Sequence, residues 1–415
     1  MKCVCRFLLL GFPSWFCHCS LILAAASICL AADPGEKKQS SIATGMLKFV
    51  ASAEIAGSVT VVGNAEKILS FDVVGMSNLE SRHEMERTTL FRIASMTKPI
   101  TAVGIMILAD EGKIDIESPV EKYLPEFRNQ WLISEQSKDK IVLKKPARLV
   151  TIRDLLTHTS GFPGAMPDGL RELYARRNHS LAEAIMALSQ RPLQFEPGSK
   201  WSYCNPGIDT LGRVIEVVSG NSYEDFLSTR IFEPLGMVDT TFYPNAQQLE
   251  RAAILYSKVK GKLVPPKIPA PAKKQKVRYP IPAGGLFSTG DDLAKFYQMM
   301  LRQGQGPKGA ILRVETVQKM TQSHTGDLAA GFTPGMAWGL GWGVVQKPVG
   351  VTAMLSAGTF GHGGAFGTQA WIDPHKKLFM VLLIQRQGLP NSDASAMREE
   401  FQNLAVSAFA PAPKP

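Results

Sequence analysis

The sequence predicts a mixed α/β fold: one sheet assembled from both ends of the chain, with a mainly helical block between. Three observations predict it. Short apolar runs broken by Gly57, Gly63 and Asn64 occupy 55–74. Apolar runs joined by an Asp-Pro turn return between 338 and 384. Between them, apolar residues recur at helical spacing. The composition, 45% hydrophobic and 20% charged over 415 residues, is that of a globular chain with room for more than one packing unit. It excludes a disordered tail, a collagen-like fibre and a small disulfide knot. No internal apolar run reaches the roughly 18 residues of a spanning helix. The net charge of +10 speaks to solubility and non-specific attraction, not to chemistry.

Taken in order, the first element is an address. Lys2 and Arg6 precede apolar runs over 7–12 and 21–32, and small residues close them before Asp33-Pro34. Residues 1–31 are therefore expected to be a signal peptide cut near Ala31 or Ala32, with the mature chain secreted or periplasmic, or membrane-anchored if the leader stays on. Pro13 and His18 interrupt the run and argue against a spanning helix. Cys3, Cys5, Cys17, Cys19 and Cys29 leave with the leader. Only Cys204 remains, so neither an internal disulfide nor a multi-cysteine zinc site is expected.

Residues 32–44 are polar and read as a flexible tether. A hairpin follows, Val59-Thr60-Val61-Val62 and then 68–74. Phe91-Arg92-Ile93-Ala94 leads into a helix near Ser95, apolar at Val103, Ile105 and Leu108, that stops at Gly112. In the middle block, Thr151-Ile152-Arg153-Asp154 fits a capping box opening a helix over 152–158. A helix over 182–188 comes next. Asn205-Pro206 fits an N-cap, with Ile208, Leu211, Ile215 and Val218 continuing to Gly220. Another helix is expected over 223–231. Stretches 128–148 and 262–282 read as insertion loops, the second rich in Pro and Lys. Strands over 338–345 and 367–384 and a last helix over 395–409 complete the chain. The expected organisation is a sheet domain from 45–114 and 283–410, a mainly helical domain over 115–282, and a tail over 411–415. No 20–50-residue repeat is present, which excludes a solenoid or propeller.

Three short motifs carry chemistry. Ser95-Met96-Thr97-Lys98 places an amine three residues after a hydroxyl at a helix start, on one face. A serine needs a partner to take its proton, and a partly dry Lys can lose its charge and do so. The helix amino end favours negative charge there, and Pro99 suits a first turn. Alone, the motif also fits a helix cap with a solvated Lys. Tyr203-Cys204-Asn205 offers a phenol that can pass a proton and an amide that holds Lys98, holds substrate, or caps its helix. Gly361-His362-Gly363-Gly364-Ala365-Phe366-Gly367 offers a strand edge that a substrate can approach and one group titrating near neutrality. Other residues take plainer readings. His158 holds a loop, and His83-Glu84 lacks the second His of a zinc protease. The run Lys273-Lys274-Gln275-Lys276 with Arg278 is a solvated loop. Trp201, Trp338 and Trp342 are packing residues.

The order of these motifs, S-x-x-K, Y-x-N and H-G-G, resembles that of the serine β-lactamase and penicillin-binding-protein superfamily. The class C-like branch, with its related esterases and D-amino-acid peptidases, is the most similar. The stretches Leu90-Phe91-Arg92-Ile93-Ala94-Ser95, Leu155-Leu156-Thr157-His158-Thr159-Ser160-Gly161, Phe195-Glu196-Pro197-Gly198 and Pro282-Ala283-Gly284-Gly285-Leu286 add to the likeness. The resemblance implies a β-lactamase/transpeptidase-like α+β fold, an antiparallel sheet flanked by helices, with a helical domain inserted and the site between the two. It implies Ser95 as acylated nucleophile, Lys98 as its proton partner and Tyr203 as base and later acid. Asn205, His362, Gly363 and Gly364 would position substrate, and the N–H groups of Ser95 and Ala365 would form the oxyanion hole. No cofactor or metal is implied. The departure is His362-Gly363-Gly364 where β-lactamases of this branch carry K-T-G. The fixed cation that meets a substrate carboxylate is missing. The expectation is therefore a serine hydrolase acting on small esters or amides, favoured as a carboxylesterase. A D,D-carboxypeptidase, another D-peptidase or a weak β-lactamase is the alternative, and an envelope binding protein with little turnover is the alternative of another class. Nucleic acid is not an expected partner. The lipase reading of H-G-G is rejected, since there it precedes the nucleophile and no G-x-S-x-G is present.

Overall fold

Two ends of the chain meet in one sheet. The computed structural model describes residues 40–164, 179–265 and 279–411. The expected leader, residues 32–39 of the tether, the basic run over 273–278 and the tail beyond 411 lie outside them. Among the described residues the largest sheet has eight strands: β1 (Gly57–Gly63), β2 (Ile68–Asn78), β3 (His83–Glu84), β4 (Met336–Trp338), β5 (Gly343–Val345), β6 (Phe360–Gly363), β7 (Gln369–Asp373) and β8 (Leu378–Leu383). Their order is β4-β5-β6-β7-β8-β1-β2-β3, antiparallel throughout. The seam is β1 against β8, running from Val59 opposite Leu383 to Gly63 opposite Phe379. Both strands are buried along their whole length, because helices cover both faces; a strand covered on two sides reads as a continuous apolar run.

The alternation of β1 sorts the two cores. Val59 and Val61 face one cluster with Ile100, Phe296 and Leu383. That cluster includes helices α2 (Thr97–Asp110), α3 (Asn205–Ser219) and α4 (Gly290–Leu301), whose buried positions lie in it. Val62 faces the other cluster with Ile42, Met46, Met380 and Phe401. Among the described residues no helix is long and apolar enough to cross a membrane.

Several elements differ from expectation. Helix α1 (Ser41–Ala51) begins inside the expected tether, with Ser40 Oγ accepting from the Ala43 N–H at 3.0 Å. Its sequence is weak because Thr44 and Gly45 sit at its centre. Gly45 lets the last helix, Ala396–Phe409, pack close: a Cβ there would lie 2.4 Å from Leu404 Cδ1, and that side chain would have to move. The 128–148 stretch holds a hairpin, Leu132–Gln136 against Ile141–Lys144. The 262–282 stretch opens with a strand, Lys262–Val264, paired with Tyr256–Val259. The Thr151 capping box forms with Asp154, and its helix is Ile152–Leu156. Cys204, not Asn205, caps α3: its backbone is extended, and its Sγ accepts from the Gly207 N–H at 3.3 Å.

Candidate active site

The chain reaches Ser95 through a forced bend. Strand Phe91–Arg92 pairs with Phe287–Ser288, then Ala94–Met96 makes one 3-10 turn into α2. Ala94 adopts φ 48°, a left-handed conformation uncommon for a residue with a Cβ. Thr97 Oγ1 donates to the Ala94 carbonyl at 2.7 Å and fixes the bend. Gly364 lies against the same point: a Cβ there would sit 2.1 Å from Thr368 Oγ1 and 2.6 Å from the Ile93 carbonyl. The Gly-rich strand end thus approaches the residue before Ser95 only because it lacks side chains.

Lys98, one turn on, is fully buried. Its Nζ donates to Ser95 Oγ at 3.1 Å and to the Ala283 carbonyl at 2.6 Å. It also lies 4.7 Å from the centroid of the Tyr203 ring. Burial pulls Lys98 down to about 7, against the opposing pull of the Asp209 carboxylate. Burial raises the pKa of the Tyr203 hydroxyl well above that of an ordinary phenol, against the opposing effect of its hydrogen bond with Ser95. Near neutral pH the pair is therefore an amine partly free of its proton and a phenol that keeps its own.

Aromatic packing fixes Tyr203. The His158 ring lies 4.5 Å from it and the Phe332 ring 4.9 Å, with Trp338 at 6.1 Å. His158 is buried at φ 59°; its Nδ1 accepts from the Cys204 N–H at 3.2 Å and its carbonyl from the Ser202 N–H at 2.9 Å. It holds the Tyr203 loop, as expected. Trp342 is core, stacked on Phe296 at 6.2 Å, whereas Trp201 and Trp338 belong to the aromatic ring around Tyr203.

On β6, Phe360 and Gly361 pair with β5, but His362 and Gly363 pair only with Ala370 and Gln369 of β7. Among the described residues their other edge is unpaired. His362 is buried, its Nδ1 lies 2.6 Å from the Gly363 carbonyl, and burial takes it down to about 3. The imidazole is neutral at any physiological pH and supplies no cation. Asn205 stands two residues after Tyr203, half-buried at the start of α3. Among the described residues it makes no hydrogen bond to Lys98; the Ala283 carbonyl takes that place.

The residue sequence reasoning missed is Asp209. It is fully buried; Oδ1 accepts from the Ala283 N–H at 2.8 Å and Oδ2 from the Tyr279 hydroxyl at 3.2 Å. It thereby holds the segment whose carbonyl grips Lys98. Its signal was a carboxylate on the apolar face of α3, between Ile208 and Leu211. Asp209→Asn removes the charge that favours the Lys98 ammonium, so the inflection of a pH–rate profile should move to lower pH than in the parent. A profile unmoved, or moved up, contradicts this coupling.

The comparisons with known proteins bear on the family and the fold. The β-lactamase family model matches residues 46–404. Protein Rv1367c of Mycobacterium tuberculosis is 31% identical over 82% of this chain and 88% of its own length. Esterase EstB of Burkholderia gladioli is 29% identical over 79% of this chain and 86% of its own. The solved structure of EstCE1, a hydrolase with promiscuous acyltransferase activity, superposes with a TM-score of 0.73 at 23% identity, covering 88% of this chain and 97% of its own; at that identity it shows the fold. Esterases and D-alanyl-D-alanine carboxypeptidases are among the named relatives. With a family match spanning nearly all of the described chain, the protein belongs to the β-lactamase family of serine hydrolases.

Proposed function

We propose that this chain is an exported serine esterase that works through an acyl-enzyme on Ser95. The observation that carries the reading is the buried Lys98 amine, brought down to about 7 and placed 3.1 Å from Ser95 Oγ. Lys98 takes the Ser95 proton as Oγ attacks the ester carbonyl carbon. The oxyanion is received by the N–H groups of Ser95 and Ala365, where losing one donor costs about 10²–10³ in rate. Tyr203, protonated at rest, gives its proton to the departing alkoxide and is reprotonated from Lys98. Water then attacks the acyl carbon, and the same groups run in reverse to release acid and free Ser95. Asn205 and the open edge at His362, Gly363 and Gly364 position the substrate.

The neutral His362 favours an ester over a β-lactam or a D-alanyl peptide, both of which end in a carboxylate that wants a cation. The similarity to an esterase supports this reading. A relative at 28% identity named as a putative D-alanyl-D-alanine carboxypeptidase keeps the peptidase as the second reading. Incubation with p-nitrophenyl acetate, nitrocefin and a D-Ala-D-Ala peptide, with intact-mass detection of the adduct, separates the two. Turnover of the ester through an adduct mapped to Ser95 supports the proposal. An inert ester with peptide turnover overturns it. The export signal is tested by the amino-terminal sequence of the protein recovered from outside the cytoplasm, expected to begin near residue 32.

A further inference from the structure

We propose that the hairpin over 131–145 is a docking element for an anionic lipid surface, with Trp131, Ile141 and Leu143 entering the interface and the surrounding lysines meeting the head groups. The proposal goes beyond the esterase reading and does not rest on it. The hairpin pairs Leu132 with Lys144, Ile133 with Leu143 and Gln136 with Ile141. Strand alternation splits it into two faces. Leu132 lies on the inner face, buried in the main core, with half-buried Val142 on the same side. Ile133, Ile141 and Leu143 share the outer face, and Trp131 joins them at its end. There Trp131 is 47%, Ile141 56% and Leu143 43% exposed. Lys145 Nζ stands 3.8 Å from the centroid of the Trp131 ring.

One exposed apolar side chain is ordinary; several on one sheet face, a tryptophan among them, mark an interaction surface. This face is held out rigidly. The Leu193 N–H donates to the Trp131 carbonyl at 2.7 Å, and the Ile133 N–H donates to the Leu193 carbonyl at 2.9 Å. Lys144 pairs with Glu196 at 2.9 Å and Arg148 with Asp154 at 2.6 Å. Charge selects the partner. The stretch 128–148 carries six basic residues and two acidic ones, in a chain whose net charge is +10. Arg128 at the base and Lys138 and Lys140 at the turn are exposed. Lysines alone would serve to keep a strand edge from pairing with another chain, but they do not account for the exposed indole and aliphatic groups. Trp131 and Lys145 suit a water–lipid boundary: the indole is an apolar body with one polar N–H, and the lysine lays its stem along it and keeps its ammonium in water. A second copy of this chain would bring like charge to the face and be repelled. A soluble polyanion would leave the apolar groups in water. An anionic bilayer satisfies both the apolar and the basic groups.

The test is co-sedimentation of the purified chain with vesicles of phosphatidylcholine alone and of phosphatidylcholine mixed equally with phosphatidylglycerol. Binding to the anionic vesicles should be at least about tenfold tighter. Ile141→Ser combined with Leu143→Ser should weaken it by about tenfold or more, and Lys138→Glu combined with Lys140→Glu by a similar factor. All four side chains are exposed, so the melting temperature should match the parent's. Parent and variants begin at the same residue, so any lipid binding by the amino terminus is common to all. A blue shift of tryptophan emission on binding, lost in Trp131→Phe, would report entry of the indole. Equal binding by parent and the double-serine variant, or no binding to either vesicle, overturns the proposal. Binding to dextran sulfate with vesicles left unbound, or self-association that the double-serine variant loses while vesicles stay unbound, overturns it in favour of a polyanion or a second copy. Hydrolysis of p-nitrophenyl acetate should be the same in parent and variants; an inert ester sinks the esterase reading and leaves this test untouched.

Discussion

Ser95→Ala should lower kcat for ester hydrolysis by about 10⁴-fold or more and abolish the covalent adduct. Ser95 Oγ is the point on which the Lys98 amine and the Tyr203 side chain both converge, so no other described hydroxyl inherits the same partners. The residue is half-buried and the change removes one atom without opening a core cavity. The melting temperature should stay within a few degrees of the parent. Circular dichroism and a single-turnover assay with p-nitrophenyl acetate check both halves. Retention of more than about a hundredth of the activity would place the nucleophile elsewhere.

Lys98→Met should lower acylation by about 10²–10⁴-fold, the usual worth of a positioned base, and at the same time stabilise the fold. The second half follows from burial. The native environment pulls the amine down from 10.5 to about 7, so folding disfavours the ammonium. Above the unfolded value both states are neutral and the penalty vanishes. It grows as pH falls from 10.5 toward 7 and is complete below that. Methionine fills the same volume without a charge. The rise in melting temperature should therefore be larger at pH 6 than at pH 10. Equal melting at both values would mean that the amine is not desolvated. The Ala283 carbonyl, left without its donor, subtracts from the gain but carries no pH dependence of this kind.

The sheet was legible because its strands announce themselves: Val59, Val61 and Val62, and the unbroken apolar run of β8, need two covered faces and find them. The pairing of β1 with β8, separated by more than three hundred residues, followed from strands at both ends with helices between. The first helix was not legible, since Gly45 is there for a neighbour that sequence spacing does not reveal. Nor was the 132–144 hairpin, whose strands are largely exposed and carry little apolar alternation. For the site, Ser95, Lys98 and Tyr203 were expected together from the order of the motifs, and their side chains do meet. The partner of Lys98 was misplaced: Asn205 was offered for it, and a backbone carbonyl from the 281–286 segment does the holding. Backbone groups leave no trace in residue identity. Asp209 was visible only as a carboxylate out of place on an apolar face.

The acid–base order rests on Lys98 being the group that loses its proton first, with Tyr203 kept protonated by burial. The dependence of kcat/KM on pH for a neutral ester reads this directly. The rate should climb tenfold per pH unit at low pH and level off close to pH 7, with His362 contributing no inflection above about 3. A rate that keeps rising toward pH 10, as ionisation of a phenol would require, would assign the base to Tyr203 and contradict the account.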